Sequence, residues 1–309
     1  MPKGTNTYII GKKNPYTLID TGEGRQEYIP ILESAFRDTA KIHNATESDV
    51  SDIVISHWHP DHVNGLPSVL SLLRHLWEER NPSLPFPPPR LHKFPRDPNP
   101  PPPPHGTPYT LPSIISSLPP NSYTPSPTGH PFHDLHDFQT ITPLTLRVLH
   151  TPGHTGDSIA LYIPQDRALY TGDSVLGKGT AVFEDLALYL KSLDYMHHFG
   201  DSEPDGGYKT VYPGHGPVVP EGKELIGTYI VHRLEREAQI LNVLKSPPSD
   251  SSTYWTTWTI VTTIYAAYPK SLWLPATYSV DLHLRKLEGE GVVRRVHGEG
   301  KDTSWELRT

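Results

Sequence analysis

Three histidines and an aspartate crowd into six consecutive positions of Ser56-His57-Trp58-His59-Pro60-Asp61-His62, directly after the apolar run Ile53-Val54-Ile55. A short β-branched run of this kind reads as a buried strand, so the four side chains stand on a loop at a strand end, where a rigid sheet can aim them. Three imidazoles and a carboxylate suit borderline-soft divalent metals such as zinc. The chain has no cysteine. That excludes disulfides, thiolate metal sites and a cysteine nucleophile, and leaves nitrogen and oxygen to hold any metal.

Three further turns repeat the pattern. Thr151-Pro152-Gly153-His154-Thr155 follows a strand ending at Leu149, Thr171-Gly172-Asp173 follows Leu169-Tyr170, and Tyr212-Pro213-Gly214-His215-Gly216-Pro217 follows Thr210-Val211. Taken singly, each is as readily an Asx-turn or a capped loop as a ligand position. Together they set seven ligand-capable side chains at successive strand ends, which coincidence explains poorly.

The remaining apolar runs, Tyr8-Ile9-Ile10, Thr17-Leu18-Ile19, Leu144 to Leu149, Ile159 to Ile163 and Ala168-Leu169-Tyr170, also predict strands. Helical spacing joins Tyr28, Ile31, Leu32, Ala35 and Phe36, and then Leu66, Val69, Leu70, Leu73, Leu76 and Trp77. The pattern is mixed α/β. The 309 residues leave room for one such domain of about 200 residues and an appendage, which we place at residues 1–221 and 222–309.

From Pro82 to Pro131 the chain changes character, with 19 of its 35 prolines in these 50 residues. Proline removes donors and locks φ, so 82–131 is expected to be a Pro-rich surface insertion of polyproline or irregular structure, either a passive loop or a lid or docking arm. Its histidines, His92, His105, His130, His133 and His136, are accordingly poor ligand candidates. Past Gly222 the spacing turns helical from Leu225 to Leu244. A second helix is expected over Trp258 to Tyr268, and a third around Val280 to Leu287. Val292-Val293 and Ser304 to Leu307 then read as a hairpin, giving a winged-helix outline.

No apolar run approaches the roughly 18 residues of a membrane span. The N-terminus carries no secretion or transit signature, so the expected location is cytoplasmic.

These motifs resemble the metallo-β-lactamase superfamily, whose ordered signature is an early Asp, His-x-His-x-Asp-His, a His, an Asp and a final His. The resemblance implies the αββα sandwich of that family and two zinc ions per chain. His57, His59 and His154 would hold one ion, Asp61, His62 and His215 the other, and Asp173 would bridge them. Asp61 would also orient the nucleophile, and Asp20 of Leu18-Ile19-Asp20-Thr21-Gly22 would support the ligands from behind. The segments Gly4-Thr5-Asn6-Thr7-Tyr8, Ile19-Asp20-Thr21-Gly22-Glu23, Thr151 to Thr155 and Thr171 to Gly177 are similar to one branch in particular. That branch holds fungal polyketide-releasing thioesterases and the mitochondrial single-strand endoribonuclease. Its members usually carry a further strand before the Gly-Thr-Asn-Thr-Tyr segment, so an edge strand is expected to be missing here. They also tend to have Gly-Gly where this chain has Asn64-Gly65, and a different set at Gly156-Asp157-Ser158.

The implied activity is hydrolysis by a water that two ions share and ionise. An acyl thioester is the first choice of substrate, with an acyl carrier protein or polyketide synthase as partner, because a net charge of −7 disfavours a polyanion. Single-stranded RNA is the alternative. Against it, Val280 to Thr309 holds six Lys or Arg and six Asp or Glu, which is no basic footprint. Small thioesters or lactones are a third possibility, for which Trp255, Trp258, Tyr265, Trp273 and Tyr278 could line a cleft, although such aromatics are more often core. A serine hydrolase using Ser158 or Ser174 lacks the Gly-x-Ser-x-Gly elbow. A binding or scaffold protein with a purely structural metal site would close each ion with four protein ligands, whereas seven ligands for two ions leave positions for water and substrate.

Overall fold

Strand and helix alternate much as the apolar runs predict. The computed structural model describes residues 4–38, 44–97, 107–142, 144–202, 206–248 and 252–308. Its first part runs β1 (Tyr8–Ile10), β2 (Tyr16–Ile19), α1 (Tyr28–Asp38), β3 (Val50–Ile55), α2 (Pro60–Val63), α3 (Leu66–Arg80), β4 (Arg90–Lys93), α4 (Leu111–Ser117) and β5 (Phe132–Asp134). It continues with β6 (Thr140–Ile141), β7 (Leu146–His150), β8 (Ile159–Ile163), β9 (Ala168–Gly172), α5 (Leu186–His198) and β10 (Thr210–Pro213). After these come α6 (Gly222–Leu244), β11 (Trp255–Thr256), α7 (Thr257–Ile264), α8 (Trp273–Gly289), β12 (Val293–Arg295) and β13 (Ser304–Leu307).

Two five-stranded sheets form, ordered β1-β2-β3-β4-β5 and β10-β9-β8-β7-β6. Both are mixed: β2 through β5 run parallel, as do β9 and β10, and the other pairs are antiparallel. Side chains on a strand alternate between faces, and here both faces are apolar. Ile19 and Val54 point inward to meet Val148, Ile159, Leu161 and Tyr170 of the other sheet. Leu18, Ile53 and Ile55 point outward, against Leu32 and Phe36 of α1 and Leu66, Leu70 and Leu73 of α3. On the far side, Ala160 and Tyr162 pack under Leu186, Tyr189, Leu193 and Met196 of α5 and Ile226 of α6. The result is four layers, helix, sheet, sheet, helix, with the strand ends gathered along one rim. The sequence reading passed over α5, although Leu186, Tyr189, Leu193 and Met196 follow helical spacing and the Asp185 carboxylate caps its first turn by accepting from the Leu188 N–H at 2.9 Å.

The expected irregular insertion is the main correction. Within 82–131 the chain supplies β4, which lies inside the first sheet with Leu91 fully buried, and the short helix α4. Periodicity could not reveal β4, because Arg90-Leu91-His92-Lys93 is mostly polar. The run is tolerated inside because each of its polar side chains meets a carboxylate. His92 Nε2 lies 2.7 Å from Asp52 Oδ1, and Lys93 forms a buried ion pair with Asp157. The run Pro100 to Pro104 and His105 lie outside the described residues.

Helix α6 belongs to two cores. Ile226 and Tyr229 in its first half pack on the second sheet, while Ile240 and Leu244 join Trp255, Ile260, Val280, Leu284, Val293 and Trp305. The sequence break at residue 222 therefore marks the start of a shared helix. The C-terminal three-stranded sheet, ordered β11-β13-β12, completes the helix-and-hairpin unit. Among the described residues no helix is long and apolar enough to cross a membrane.

Asp52 generates a testable stability effect. Burial opposes its ionisation, but His92, Arg90 and Ser51 overrule that and hold the carboxyl at about 2. A carboxyl with a lowered folded-state pKa contributes stability that is complete above about pH 4 and is lost as pH falls through about 2. We predict that Asp52→Asn lowers stability by about 1–3 kcal/mol near neutral pH. Thermal melts of both proteins from pH 5 to pH 2 should show that gap closing on acidification.

Candidate metal centre

The seven side chains arrive at the rim from four strand ends. Beyond β3, His57 and His59 lie on the loop, and Pro60 opens the single turn α2, which carries Asp61 and His62. His154 stands past β7, Asp173 immediately past β9 and His215 two residues past β10. Their donor atoms fall into two groups, His57, His59, His154, Asp173 and Asp61, His62, Asp173, His215, each with all atoms within 4.8 Å of one another. Asp173 belongs to both.

In the first group His59 Nδ1 lies 3.0 Å from His57 Nε2 and 3.0 Å from His154 Nε2, and the latter two are 3.2 Å apart. In the second, His215 Nε2 lies 3.1 Å from Asp61 Oδ2 and 3.2 Å from Asp173 Oδ2, and His62 Nε2 is 3.2 Å from Asp173 Oδ1.

Hydrogen bonds behind the rings fix which nitrogens face the centre as lone pairs. Ser56 Oγ donates to Asp20 Oδ2 at 2.7 Å, so it accepts from His57 Nδ1 at 3.0 Å. His154 Nδ1 donates to the Val182 carbonyl at 2.7 Å. His57 Nε2 and His154 Nε2 thus confront each other as acceptors, an arrangement that repels unless a cation lies between them. His62 Nε2 and Asp173 Oδ1 are likewise buried with no hydrogen-bond partner among the described residues. These orphaned atoms, together with the nitrogen and oxygen donor set, fit divalent metal ions.

The electrostatics agree. Burial, reinforced by the neighbouring imidazoles, pushes His57 well below the usual range and His59 down to about 3. Burial works against the charge on Asp61 and Asp173, yet the surrounding histidines hold Asp61 at about 2 and Asp173 well below its ordinary value. For His62 and His215 burial is again opposed, this time by the carboxylates. Asp173 and Asp20 raise His62, and Asp173 and Asp61 raise His215 to about 10. Neutral imidazoles on one side and a strong pull for positive charge on the other are what ligation of cations needs.

The support behind the ligands is denser than the sequence suggested. Asp20 is fully buried and adopts a left-handed backbone (φ 58°). Its carboxylate accepts from the Ser56 N–H at 2.7 Å, the Ser56 and Tyr170 hydroxyls, and His62 Nδ1 at 2.7 Å. Tyr170 was read only as part of a buried strand. The Gly4 to Tyr8 segment clamps the last loop: Asn6 donates to the Pro213 and Gly216 carbonyls at 3.0 and 2.7 Å, and the Tyr8 hydroxyl donates to Pro213 at 2.9 Å. Within the same segment, the Gly4 carbonyl accepts from His215 Nδ1 at 2.9 Å, and Thr5 Oγ1 donates to Asp61 Oδ2 at 3.0 Å. The Asp157 carboxylate, paired with Lys93, also accepts from Thr155 beside His154.

Other candidates fall elsewhere. His92 and His133 pack together inside the first sheet, and His130 and His136 are exposed. Ser158 is tied to Thr155, and Ser174 Oγ is buried with no partner among the described residues, so neither engages a histidine. The five C-terminal aromatics do not share one cleft. Trp255 is core, Tyr265 and Trp273 pack against that core, Trp258 meets Trp273 at 6.2 Å, and Tyr278 leans on the second sheet and donates to the Phe183 carbonyl.

The fold and the rim of histidines and aspartates together define a metallo-β-lactamase superfamily hydrolase. The chain belongs to that superfamily: a family profile matches residues 1–219, and the profile of the β-lactamase-associated winged-helix domain matches residues 256–305. It is 33% identical over 300 residues to the β-lactamase-like protein 2 homolog of Caenorhabditis elegans, covering 96% of this chain and 83% of that one. To the Drosophila melanogaster homolog it is 34% identical, over 94% and 85%. An atrochrysone carboxyl ACP thioesterase of Aspergillus novofumigatus is 29% identical over 81% of this chain and 61% of its own length. In structure, a β-lactamase domain protein from Burkholderia ambifaria superposes with a TM-score of 0.63 at 18% identity, over 98% of this chain and 87% of that one.

Two substitutions test the support without replacing any of the seven residues of the cage. A Cβ on Gly214 would lie 2.5 Å from Asp173 Oδ1, closer than atoms pack. We predict that Gly214→Ala and Asp20→Asn each weaken metal binding by about 10–100-fold, read by chelator competition on protein whose circular dichroism is unchanged.

Proposed function

We propose that this protein is a dinuclear metal-dependent hydrolase that cleaves an acyl thioester, releasing a polyketide or other acyl chain from a carrier protein. The observation that carries the reading is the sharing of Asp173 between two groups of donor atoms. In this reading His57, His59 and His154 hold one ion, Asp61, His62 and His215 the second, and Asp173 spans both, zinc being the ion that such a donor set suits. When bound, two such ions lower the pKa of a water from about 15.7 towards about 7 and polarise the oxygen of the scissile carbonyl.

The chain's own groups supply orientation. Asp61 has a side chain that is 35% exposed, so one edge of its carboxylate faces solvent while Thr5 and His215 hold the other. In this reading it orients the attacking water. The buried imidazoles His57 and His62 are fixed from behind through Ser56 and Asp20, so they need little reorganisation during turnover.

The thioester choice draws on the relatives named as ACP thioesterases and on the C-terminal unit, where Arg285, Lys286, Arg294 and Arg295 are all committed to ion pairs with Asp281, Glu237, Glu306 and Glu288. A second reading, cleavage of single-stranded RNA, draws on cations seated over aromatic rings in the same unit, Lys301 on Trp258 and Arg236 on Tyr265.

Metal-quantified protein assayed side by side on an acyl-carrier thioester and a labelled single-stranded RNA should release only the acyl product. Release of RNA fragments alone would overturn the thioester reading. Asp173→Ala and His59→Ala should abolish turnover in folded protein, and substantial remaining activity would refute the metal assignment.

A further inference from the structure

Beside the cage lies a cation that forms no ion pair among the described residues. The Arg96 guanidinium sits 4.8 Å from the centre of the Trp58 ring and 4.4 Å from that of Tyr109. The two rings meet edge to face with centroids 5.8 Å apart, so they bear on the guanidinium from two directions and fix its orientation. Trp58 is fully buried, and its ring lies 4.5 Å from that of His59. Arg96 is thereby locked one side chain away from the metal ligands.

Elsewhere in the chain Arg37, Arg80, Arg90, Arg285 and Arg294 each sit in an ion pair. Arg96 is half-buried, yet among the described residues no carboxylate pairs with it. Asp157 and Glu184 share its neighbourhood, but Asp157 is taken by Lys93, and Glu184 acts on the guanidinium through space without an ion pair among the described residues. Partly removing a guanidinium from bulk water with no protein acceptor among the described residues is unfavourable, and ring stacking offsets only part of that.

Tyr109 also forms the near wall of an apolar groove of about 330 Å³, lined by Leu111, Pro112, Ile115, Pro131 and Phe132. The contacts thus run in order from His59 to Trp58, Arg96, Tyr109 and the groove.

We propose that Arg96 anchors a carboxylate carried on the acyl chain of the substrate, with the apolar part of that chain lying in the groove beyond Tyr109. The inference rests on the thioesterase reading and adds a substrate class to it. One guanidinium matches one carboxylate fork to fork. A phosphate or a nucleic-acid backbone would call on further cations, and Lys93, the nearest in sequence, is already engaged.

The test uses N-acetylcysteamine monothioesters of succinate, glutarate and adipate beside the matched butanoyl, pentanoyl and hexanoyl thioesters. Wild-type protein, metal-loaded, should prefer the acidic member of at least one pair. In Arg96→Gln that preference, as a ratio of kcat/KM values, should fall about tenfold or more, chiefly through KM, with partial recovery in Arg96→Lys. No preference in the wild type, or the same preference in Arg96→Gln, would overturn the anchor. If the wild type turns over no thioester at all, the thioesterase reading fails by itself. Calorimetric binding of hexanoate and hexanamide to wild type and Arg96→Gln then decides the anchor: a loss of hexanoate affinity confined to the variant supports it, and equal affinities sink it.

Discussion

One buried carboxylate ties the molecule together where its chemistry gathers. Asp20 ends a strand of the first sheet, and its oxygens bind the Ser56 loop and His62 from that sheet and Tyr170 from the other. Removing a carboxylate from water is strongly unfavourable unless its lone pairs are met by donors. Four donors meet them here, and each comes from an element that also carries or adjoins a metal-site residue. The same bonds that permit Asp20 to be buried therefore set the distance between the two sheets at the rim and the ring orientations of His57 and His62.

The polar groups inside the first sheet follow the same logic. Asp52 with His92 and Arg90, and Lys93 with Asp157, allow a mostly polar segment to serve as an interior strand. The Lys93 pair has a second effect, since Asp157 reaches the turn that bears His154 through Thr155. A feature needed for folding thus also steadies one wall of the candidate centre.

Helix α6 couples the appendage to the hydrolase core. Arg233, midway along it, lies over the Phe183 ring and donates to Thr180 and the Ala181 carbonyl, in the segment whose Val182 carbonyl orients His154. Tyr278 of α8 meets the same segment at the Phe183 carbonyl. The C-terminal unit therefore buttresses a loop of the site as well as packing its own core.

By itself, the sequence determined the mixed α/β class and the seven residues that the fold brings together, because buried-strand runs and clustered ligand residues at their ends are local patterns; the layering came with the resemblance. It also revealed Asp20, through a resemblance rather than through spacing. Tertiary structure alone decided the rest. The strand Arg90 to Lys93 was hidden because its burial depends on partners 38 to 64 residues away, and no periodicity records a distant counter-charge. Tyr170, the Gly4 carbonyl and Arg96 were equally silent, since a hydroxyl, a backbone oxygen or a guanidinium gains its meaning from what stands opposite it. Local runs fix which faces are apolar; only the closing of two sheets fixes which polar atoms meet.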